Sequence, residues 1–158
     1  SRFEKIRLYH KSYLNKAITN KENEELANQF SVLVVEKVID SPYVPGVFKY
    51  IQKCYEKYNL FISTGTPTNE MNQILNGRRI AQYFAEVCGS PEKKDEHITK
   101  IMSKYNYHAD DLIFYGDAKT DINAAKKLNI PFILIKNSFN KNLANTFQGK
   151  MINNFMEL

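Results

Sequence analysis

The sequence lacks several features that would place it in a specialised class of protein. No apolar run among its 158 residues approaches the roughly 20 residues of a membrane-spanning helix, and no signal-peptide core opens the chain. Internal repeats and low-complexity tracts are also missing. There are only two cysteines, Cys54 and Cys88, and they share no metal-site spacing. We therefore predict no membrane partner, and two buried, reduced thiols in a cytoplasmic protein.

The remaining composition is that of an ordinary globular domain. Hydrophobic residues make up 43% and charged residues 25% of a chain that is long enough to bury a core, with or without a small appendage. The net charge is +5, but the basic residues are scattered along the chain rather than gathered in one stripe. This distribution argues against a nucleic-acid partner and favours an anionic substrate.

The most informative stretch is residues 112–121, Leu-Ile-Phe-Tyr-Gly-Asp-Ala-Lys-Thr-Asp. Its apolar run into Gly116 is typical of a strand buried on both faces of a parallel sheet. Asp117 then follows the strand, and Asp121 begins a helix that we expect to end at Asn129. Two carboxylates at the end of such a strand suit a hard cation such as Mg²⁺. Alternatively, the first carboxylate opens a turn and the second is solvated in the first helical turn.

The rest of the chain divides into two parts. Residues 1–40 predict two amphipathic helices, which we interpret as a partial helical cap. In the second helix, the β-branched run 32–35 is equally compatible with a strand. Two prolines and a glycine in 40–46 mark the boundary. Residues 41–158 then alternate helices with strands, which predicts an α/β fold with a parallel sheet flanked by helices.

Prolines and capping residues predict where several of these elements begin. Thr66 is expected to cap a helix whose first residue is Pro67. A short strand is expected within 83–87. We also expect Ser90 to cap the next helix, with Pro91 directly behind it.

Three further side chains are candidates for binding an anion. Thr64 follows a buried strand, where its hydroxyl would hold a phosphate oxygen or merely complete a turn. Lys94 lies in the first turn of a helix, either aimed at an anion or solvated. Arg2 lies at the start of the first cap helix, where it would either contact a substrate from the cap side or have no functional role. No histidine pairs with a nucleophile, so all three are assigned to the surface or to helix flanks: His10, His97 and His108.

The order of these positions matches a known pattern. Thr64-Gly65, residues 89–94 and residues 116–121 resemble the second, third and fourth motifs of the haloacid dehalogenase (HAD) superfamily of phosphohydrolases. The resemblance covers about residues 40–158 and implies a HAD-like, Rossmannoid parallel sheet. The helical cap resembles that of the β-phosphoglucomutase-like branch, in which a pair like Ser1-Arg2 opens a cap helix.

The resemblance implies a Mg²⁺-dependent phosphatase of a small phosphorylated metabolite. Thr64 would hydrogen-bond the transferring phosphoryl group, and Lys94 would neutralise its charge. Asp117 would coordinate Mg²⁺, with Asp121 as a further or outer-shell ligand. The remaining implied substrate contacts are Gly65, Thr66 and Arg2.

One motif of the family is missing. None of the six aspartates belongs to an Asp-x-Asp triplet: Asp40, Asp95, Asp110, Asp111, Asp117 and Asp121. In the family that triplet carries the nucleophile and follows the central strand. We therefore expect an N-terminally shortened form that is inactive alone, with unpaired strand edges beside a gap or self-association that covers them. The alternative function is a catalytically silent module that binds an anion or a protein partner; a receiver-like signalling domain fits less well.

Overall fold

The computed structural model describes residues 2–158. They form two sheets, each made of parallel strands, and the helices around them. The α-helices are α1 (Arg2–Tyr13), α2 (Asn20–Ile39), α3 (Val47–Tyr55), α4 (Thr68–Gly77), α5 (Lys94–Tyr105), α6 (Lys119–Leu128) and α7 (Lys141–Thr146). The strands are β1 (Phe61–Pro67), β2 (Glu86–Ser90), β3 (Phe114–Gly116), β4 (Phe132–Ile135) and β5 (Lys150–Ile152). Short 3₁₀ turns occur at Ala81–Tyr83, Ala109–Asp111 and Phe155–Glu157. No helix within residues 2–158 is long and apolar enough to cross a membrane.

The first two helices form the hairpin that the sequence predicts for residues 1–40. A capping box begins α2: the Thr19 hydroxyl accepts from the Glu22 N–H at 3.2 Å, and the Glu22 carboxylate accepts from the Thr19 N–H at 2.8 Å. The strand alternative for residues 32–35 is wrong, because this run lies inside a capped helix of 20 residues. The division of the chain into cap and core stays a prediction.

The predicted α/β fold with parallel strands and flanking helices is confirmed, but the sheet is divided. One sheet has the order β1-β2 and the other has the order β3-β4-β5, and all pairs are parallel. In the part of the chain that the structure describes, β1 pairs only with β2, and β3 pairs only with β4. The expected unpaired strand edges are therefore present on β1 and β3.

Burial differs between the strands. The middle strand of the larger sheet, β4, contains Ile133 and the fully buried Leu134. In contrast, no residue of β3 is fully buried, and the same is true of β1. Ile98, Ala124 and Ile130 form a core cluster where α5 and α6 meet below the larger sheet. The strands with unpaired edges, β1 and β3, are thus half-buried along most of their length. Both cysteines are half-buried rather than buried, and neither forms a disulfide.

Two predicted helix starts and one strand position are wrong. The strand β1 continues through Pro67, which lies opposite Ser90 in the ladder, so α4 begins at Thr68 rather than at a Thr66 cap. The strand expected within 83–87 lies at Glu86–Ser90, because a 3₁₀ turn occupies the residues before it.

The predicted Ser90 cap is wrong for a related reason. Ser90 is the last residue of β2, and α5 begins only at Lys94, after the cis peptide bond between Ser90 and Pro91. The helix is capped instead at Lys93, whose N–H donates to Glu96 Oε2 at 3.0 Å. This later start decides which side chains of α5 face the sheet.

Candidate functional site

The carboxyl ends of the two sheets meet at an ion pair. Lys94 is the first residue of α5, after β2, and Asp121 lies in the first turn of α6, after β3. Lys94 Nζ binds Asp121 Oδ1, and the Asp121 side chain is only 3% exposed. Because each residue follows the end of a strand, this contact places the carboxyl ends of both sheets on one side of the molecule.

The second carboxylate oxygen of Asp121 holds the loop after β3. Asp121 Oδ2 accepts from the N–H of Asp117 at 3.2 Å and from the N–H of Ala118 at 3.0 Å. Residue 116 must be small for this loop to form, since a Cβ on Gly116 would lie 2.6 Å from the Asp121 side chain. Asp121 is therefore a structural anchor for the loop as well as the partner of Lys94.

Asp117 is exposed and is held by two amides that follow β4. Asn137 donates from Nδ2 to Asp117 Oδ2 at 2.8 Å. Asn140, which is 8% exposed, donates from Nδ2 to the carbonyls of Asp117 and Ile135, both at 2.9 Å. The sequence reasoning missed both asparagines. Their signal is that they follow a buried strand, which is where site residues of parallel sheets collect.

Thr64 lies near the carboxyl end of β1. Its hydroxyl oxygen accepts from the Thr66 N–H at 3.1 Å, as in the turn alternative, and the hydroxyl proton remains available to donate. Gly65 is exposed, and a Cβ at this position would have no other atom within 4 Å. Within residues 2–158, no hydrogen bond joins Thr64 to Lys94 or to the aspartates. The structure thus brings Lys94, Asp117 and Asp121 together, and places Thr64 at the end of the neighbouring sheet.

Arg2 contacts the core helix α4 instead of an open cleft. Its guanidinium donates to both carboxylate oxygens of Glu70, at 2.6 and 2.7 Å, and to the Ser31 hydroxyl at 2.6 Å. The hydrogen bonds from Arg2 hold the pKa of the Glu70 carboxyl below its usual value, against the opposing effect of burial. Arg2 therefore joins α1 to α2 and α4. Its contact with a substrate stays a prediction.

The assignment of His97 to the surface is wrong. This side chain is 0% exposed, because the start of α5 at Lys94 turns its fourth residue toward the sheet. Both ring nitrogens lie within hydrogen-bonding distance of strand residues: Nδ1 is 2.9 Å from Ser63 Oγ, and Nε2 is 3.1 Å from the Gly89 carbonyl oxygen.

The carboxylates at this site fit a hard cation in part. Asp117 is exposed and uses one carboxylate oxygen to accept from Asn137, which leaves Oδ1 for a ligand. Asp121 is committed to Lys94 and to two backbone N–H groups, so it fits an outer-shell role better. Residues 2–158 contain no cluster of three or more His, Cys, Asp or Glu side chains arranged for a metal. Mg²⁺ often takes only one or two carboxylates and fills its shell with water and phosphate oxygens.

Comparison with known proteins places the chain in a family. A family model described as "Haloacid dehalogenase-like hydrolase" matches residues 4–135. The phosphoglycolate phosphatase of Vibrio parahaemolyticus is 34% identical over 88 residues, which are 52% of this chain and 39% of that protein. A phosphoglycolate phosphatase of Vibrio vulnificus is 34% identical over 74 residues, 44% of this chain and 32% of that protein. The matches to these curated relatives thus span well under half of their length.

Solved structures show the same fold at low sequence identity. A predicted phosphoglycolate phosphatase from Haemophilus somnus superposes with a TM-score of 0.83 at 21% identity, over 98% of this chain and 73% of that chain. A β-phosphoglucomutase from Clostridium difficile superposes with a TM-score of 0.74 at 18% identity, over 100% of this chain and 73% of that chain. The family itself is identified by the family model, which covers most of the sequence. The chain belongs to the haloacid dehalogenase-like hydrolases.

Proposed function

We propose that this chain carries the phosphate-holding and cation-facing part of a Mg²⁺-dependent phosphohydrolase that acts on a small phosphorylated metabolite. The observation that supports it best is the ion pair of Lys94 with the buried Asp121, whose loop also presents Asp117. Phosphoryl transfer depends mainly on positioning and on neutralisation of charge, which an ammonium group, hydrogen-bond donors and a cation can provide.

In this proposal, Lys94 and Thr64 bind the phosphoryl group. Asp121 fixes the direction of the Lys94 ammonium group, which retains N–H donors for phosphate oxygens. The Thr66 N–H already donates to the Thr64 hydroxyl oxygen, so the hydroxyl proton of Thr64 is left to donate to a phosphate oxygen. The exposed Gly65 keeps this edge open to the ligand. The net charge of +5 favours the approach of an anion.

Asp117 is the residue proposed to hold Mg²⁺, with Asn137 and Asn140 fixing its carboxylate and its backbone. When bound, Mg²⁺ would supply further neutralisation of the phosphate oxygens. The proposal assigns no nucleophile within residues 1–158, since the sequence has no Asp-x-Asp triplet. Turnover by this chain alone is therefore not expected. The names of the Vibrio relatives make phosphoglycolate the first substrate to test. A cytoplasmic location belongs to the same proposal.

The divided sheet favours a second candidate, a binding module without chemistry of its own. A cavity of about 710 Å³ lies between the chain entering β1 and the chain entering β3. Its walls include Asn59 and Phe61 on one side and Tyr107 and Leu112 on the other. Unpaired strand edges are templates for pairing with another strand. In this alternative, a second copy of the chain pairs with the edges, and the ion pair at Lys94 is structural.

Calorimetric titration with inorganic phosphate, with and without Mg²⁺, tests the first candidate. We expect the parent chain to bind phosphate, with Lys94→Met weakening binding at least about tenfold, because an ammonium–phosphate contact is charge-assisted. Lys93→Met is the matched control, since it removes the same charge from the adjacent exposed residue. Absence of phosphate binding by the parent chain, or equal loss in both variants, would contradict the proposal.

The second candidate predicts a different result in solution. Sedimentation at several concentrations would show a dimer that dissociates on dilution. Tyr115→Asp, on β3, whose edge away from β4 is unpaired, would shift that equilibrium toward the monomer. A chain that binds phosphate and remains monomeric supports the phosphohydrolase alone. A chain that dimerises without binding phosphate supports the binding module.

A further inference from the structure

His97 is the only histidine among residues 2–158 that is fully buried, and it has a defined protonation pattern. A carbonyl oxygen only accepts, so His97 Nε2 must carry the proton that it donates to Gly89 at 3.1 Å. In the neutral ring, Nδ1 is then an acceptor, and it receives the Ser63 hydroxyl at 2.9 Å. The imidazole therefore joins a side chain of β1 to the backbone of β2.

The two partners of His97 are adjacent in sequence to the proposed phosphate site. Ser63 directly precedes Thr64, and Gly89 precedes Ser90, the last residue of β2, after which residues 91–93 form the loop that leads to Lys94. His97 also belongs to the same helix as Lys94 and lies three residues after it. One buried side chain thus contacts both strands whose ends carry the two proposed phosphate ligands.

The hydrogen-bonded ladder between β1 and β2 is interrupted directly after Ser63. Ser63 is paired with Cys88, but the register then shifts, and the next pair is Pro67 with Ser90. Residues 64–66 therefore lie in an interruption of regular pairing, so the backbone ladder does not fix their position against β2. The imidazole bridge stands at the last regular pair before this interruption.

We propose that His97 is a positioning residue, whose imidazole sets the distance between the Thr64 end of β1 and the loop that leads to Lys94. Its bearing on phosphate binding rests on the proposed function. An apolar residue of similar volume would fill the space but would leave the Ser63 hydroxyl and the Gly89 carbonyl without their partner. Loss of the bridge would then displace both strand ends.

Three variants of the whole chain test this assignment by ¹H–¹⁵N NMR. His97→Leu removes both hydrogen bonds. His97→Gln keeps an amide N–H that reaches Gly89 and, like leucine, has no ring. Ile101→Ala is the matched control, because Ile101 is buried one turn further along α5 and contributes packing without these contacts. The amide signals to follow are those of residues 64–66 and of residues 90–94, apart from Pro91, which has no N–H.

We expect His97→Leu to shift both groups of amide signals and to weaken phosphate binding roughly tenfold, as small misplacements of binding groups do. His97→Gln should return the signals of 90–94 toward those of the parent, which excludes the lost ring current as the cause. Ile101→Ala should lower the melting temperature without either change. If His97→Leu and Ile101→Ala have the same effect on the two groups, or if only one group moves, the assignment is overturned.

The ring itself supplies an independent readout. The ¹⁵N spectrum of the His97 side chain should show a proton on Nε2, the nitrogen that faces the Gly89 carbonyl. A ring without a proton on Nε2 would overturn the assignment. Failure of the parent chain to bind phosphate would instead contradict the proposed function, and the amide and ring signals would still decide the role of His97.

Discussion

Lys94 and Asp121 form an ion pair that joins the helix after β2 to the helix after β3. The pair is partly desolvated, which costs free energy for each charge. That cost is offset by the two backbone N–H groups that Asp121 also binds, at 3.0 and 3.2 Å. A second ion pair, Lys127 Nζ with Asp95 Oδ2 at 2.5 Å, also joins these helices but is more exposed. Loss of the Lys94–Asp121 pair should therefore affect the fold as well as any bound anion.

Replacing Lys94 with methionine should destabilise the chain. The variant leaves the buried carboxylate of Asp121 without its cation, so we expect the free energy of unfolding to fall by about 2–4 kcal/mol. Urea denaturation followed by circular dichroism measures this change. The control Lys93→Met removes an exposed charge and should stay within roughly 0.5 kcal/mol of the parent. Equal stability of the two variants would mean that the ion pair adds nothing to the fold.

Replacing Asp117 with asparagine should reduce cation binding while leaving the fold intact. The asparagine oxygen can still accept from Asn137, which now donates to Asp117 at 2.8 Å. The carboxylate charge for Mg²⁺ is lost, so Mn²⁺ binding, followed by electron paramagnetic resonance, should weaken at least about tenfold. Asp110→Asn, at an exposed position away from β3, is the matched control. If the Asp117 variant binds Mn²⁺ like this control, the cation site is elsewhere.

Local sequence patterns were sufficient for the elements that flank this site. The last part of the apolar run, Phe114–Gly116, is a strand, and Asn129 ends α6 in the left-handed conformation, with φ of 56°. The expectation that the run is buried on both faces is wrong, because no residue of β3 is fully buried and Ile113 is 59% exposed. The strand and the helix end both depend on the residues themselves and on their immediate neighbours. The proximity of Lys94 and Asp121 could also be predicted from the sequence, because both residues follow strands of a parallel sheet.

The misplaced elements depended on tertiary pairing. Pro67 and Ser90 carry strong local signals for a helix start, but their pairing across the ladder extends both strands past the expected ends. The burial of His97 follows from the delayed start of α5. The role of Asn140 also depends on tertiary contacts, because its side-chain amide donates to carbonyls of two separate segments. None of these contacts is encoded in the spacing of nearby residues.

Asn140 should be important for the stability of the loop that presents Asp117. Its buried side chain donates to the Asp117 and Ile135 carbonyls and accepts from the Asn137 N–H at 2.9 Å. Asn140→Ala leaves these buried groups unpaired, so we expect a loss of about 1–3 kcal/mol in the free energy of unfolding. The control Asn142→Ala changes an exposed residue of α7. Chemical denaturation compares the two, and a loss no larger at position 140 than at position 142 would contradict the assignment.

The contact of Arg2 with Glu70 should make the attachment of α1 to α4 depend on pH. Arg2 holds the pKa of Glu70 below its usual value, and Glu70 is only 6% exposed. A carboxyl whose pKa is lower in the folded state stabilises the fold fully above its unfolded pKa of about 4.3. That contribution is lost as the pH falls through the lower, folded pKa. Arg2→Met should therefore cost about 1–3 kcal/mol at pH 7 and progressively less in acid.

Thermal unfolding at a series of pH values measures this difference for the parent and for Arg2→Met. The control is Arg7→Met, in the same helix. Arg7 donates at 2.6 Å to the side-chain oxygen of Asn20, which is a neutral, exposed partner. Its effect should be small and should not change between neutral and acidic pH, since no carboxyl titrates in that contact. A loss for Arg2→Met that stays constant with pH would show that Arg2 acts through packing against Phe30, whose ring centroid lies 5.1 Å away, rather than through the Glu70 charge.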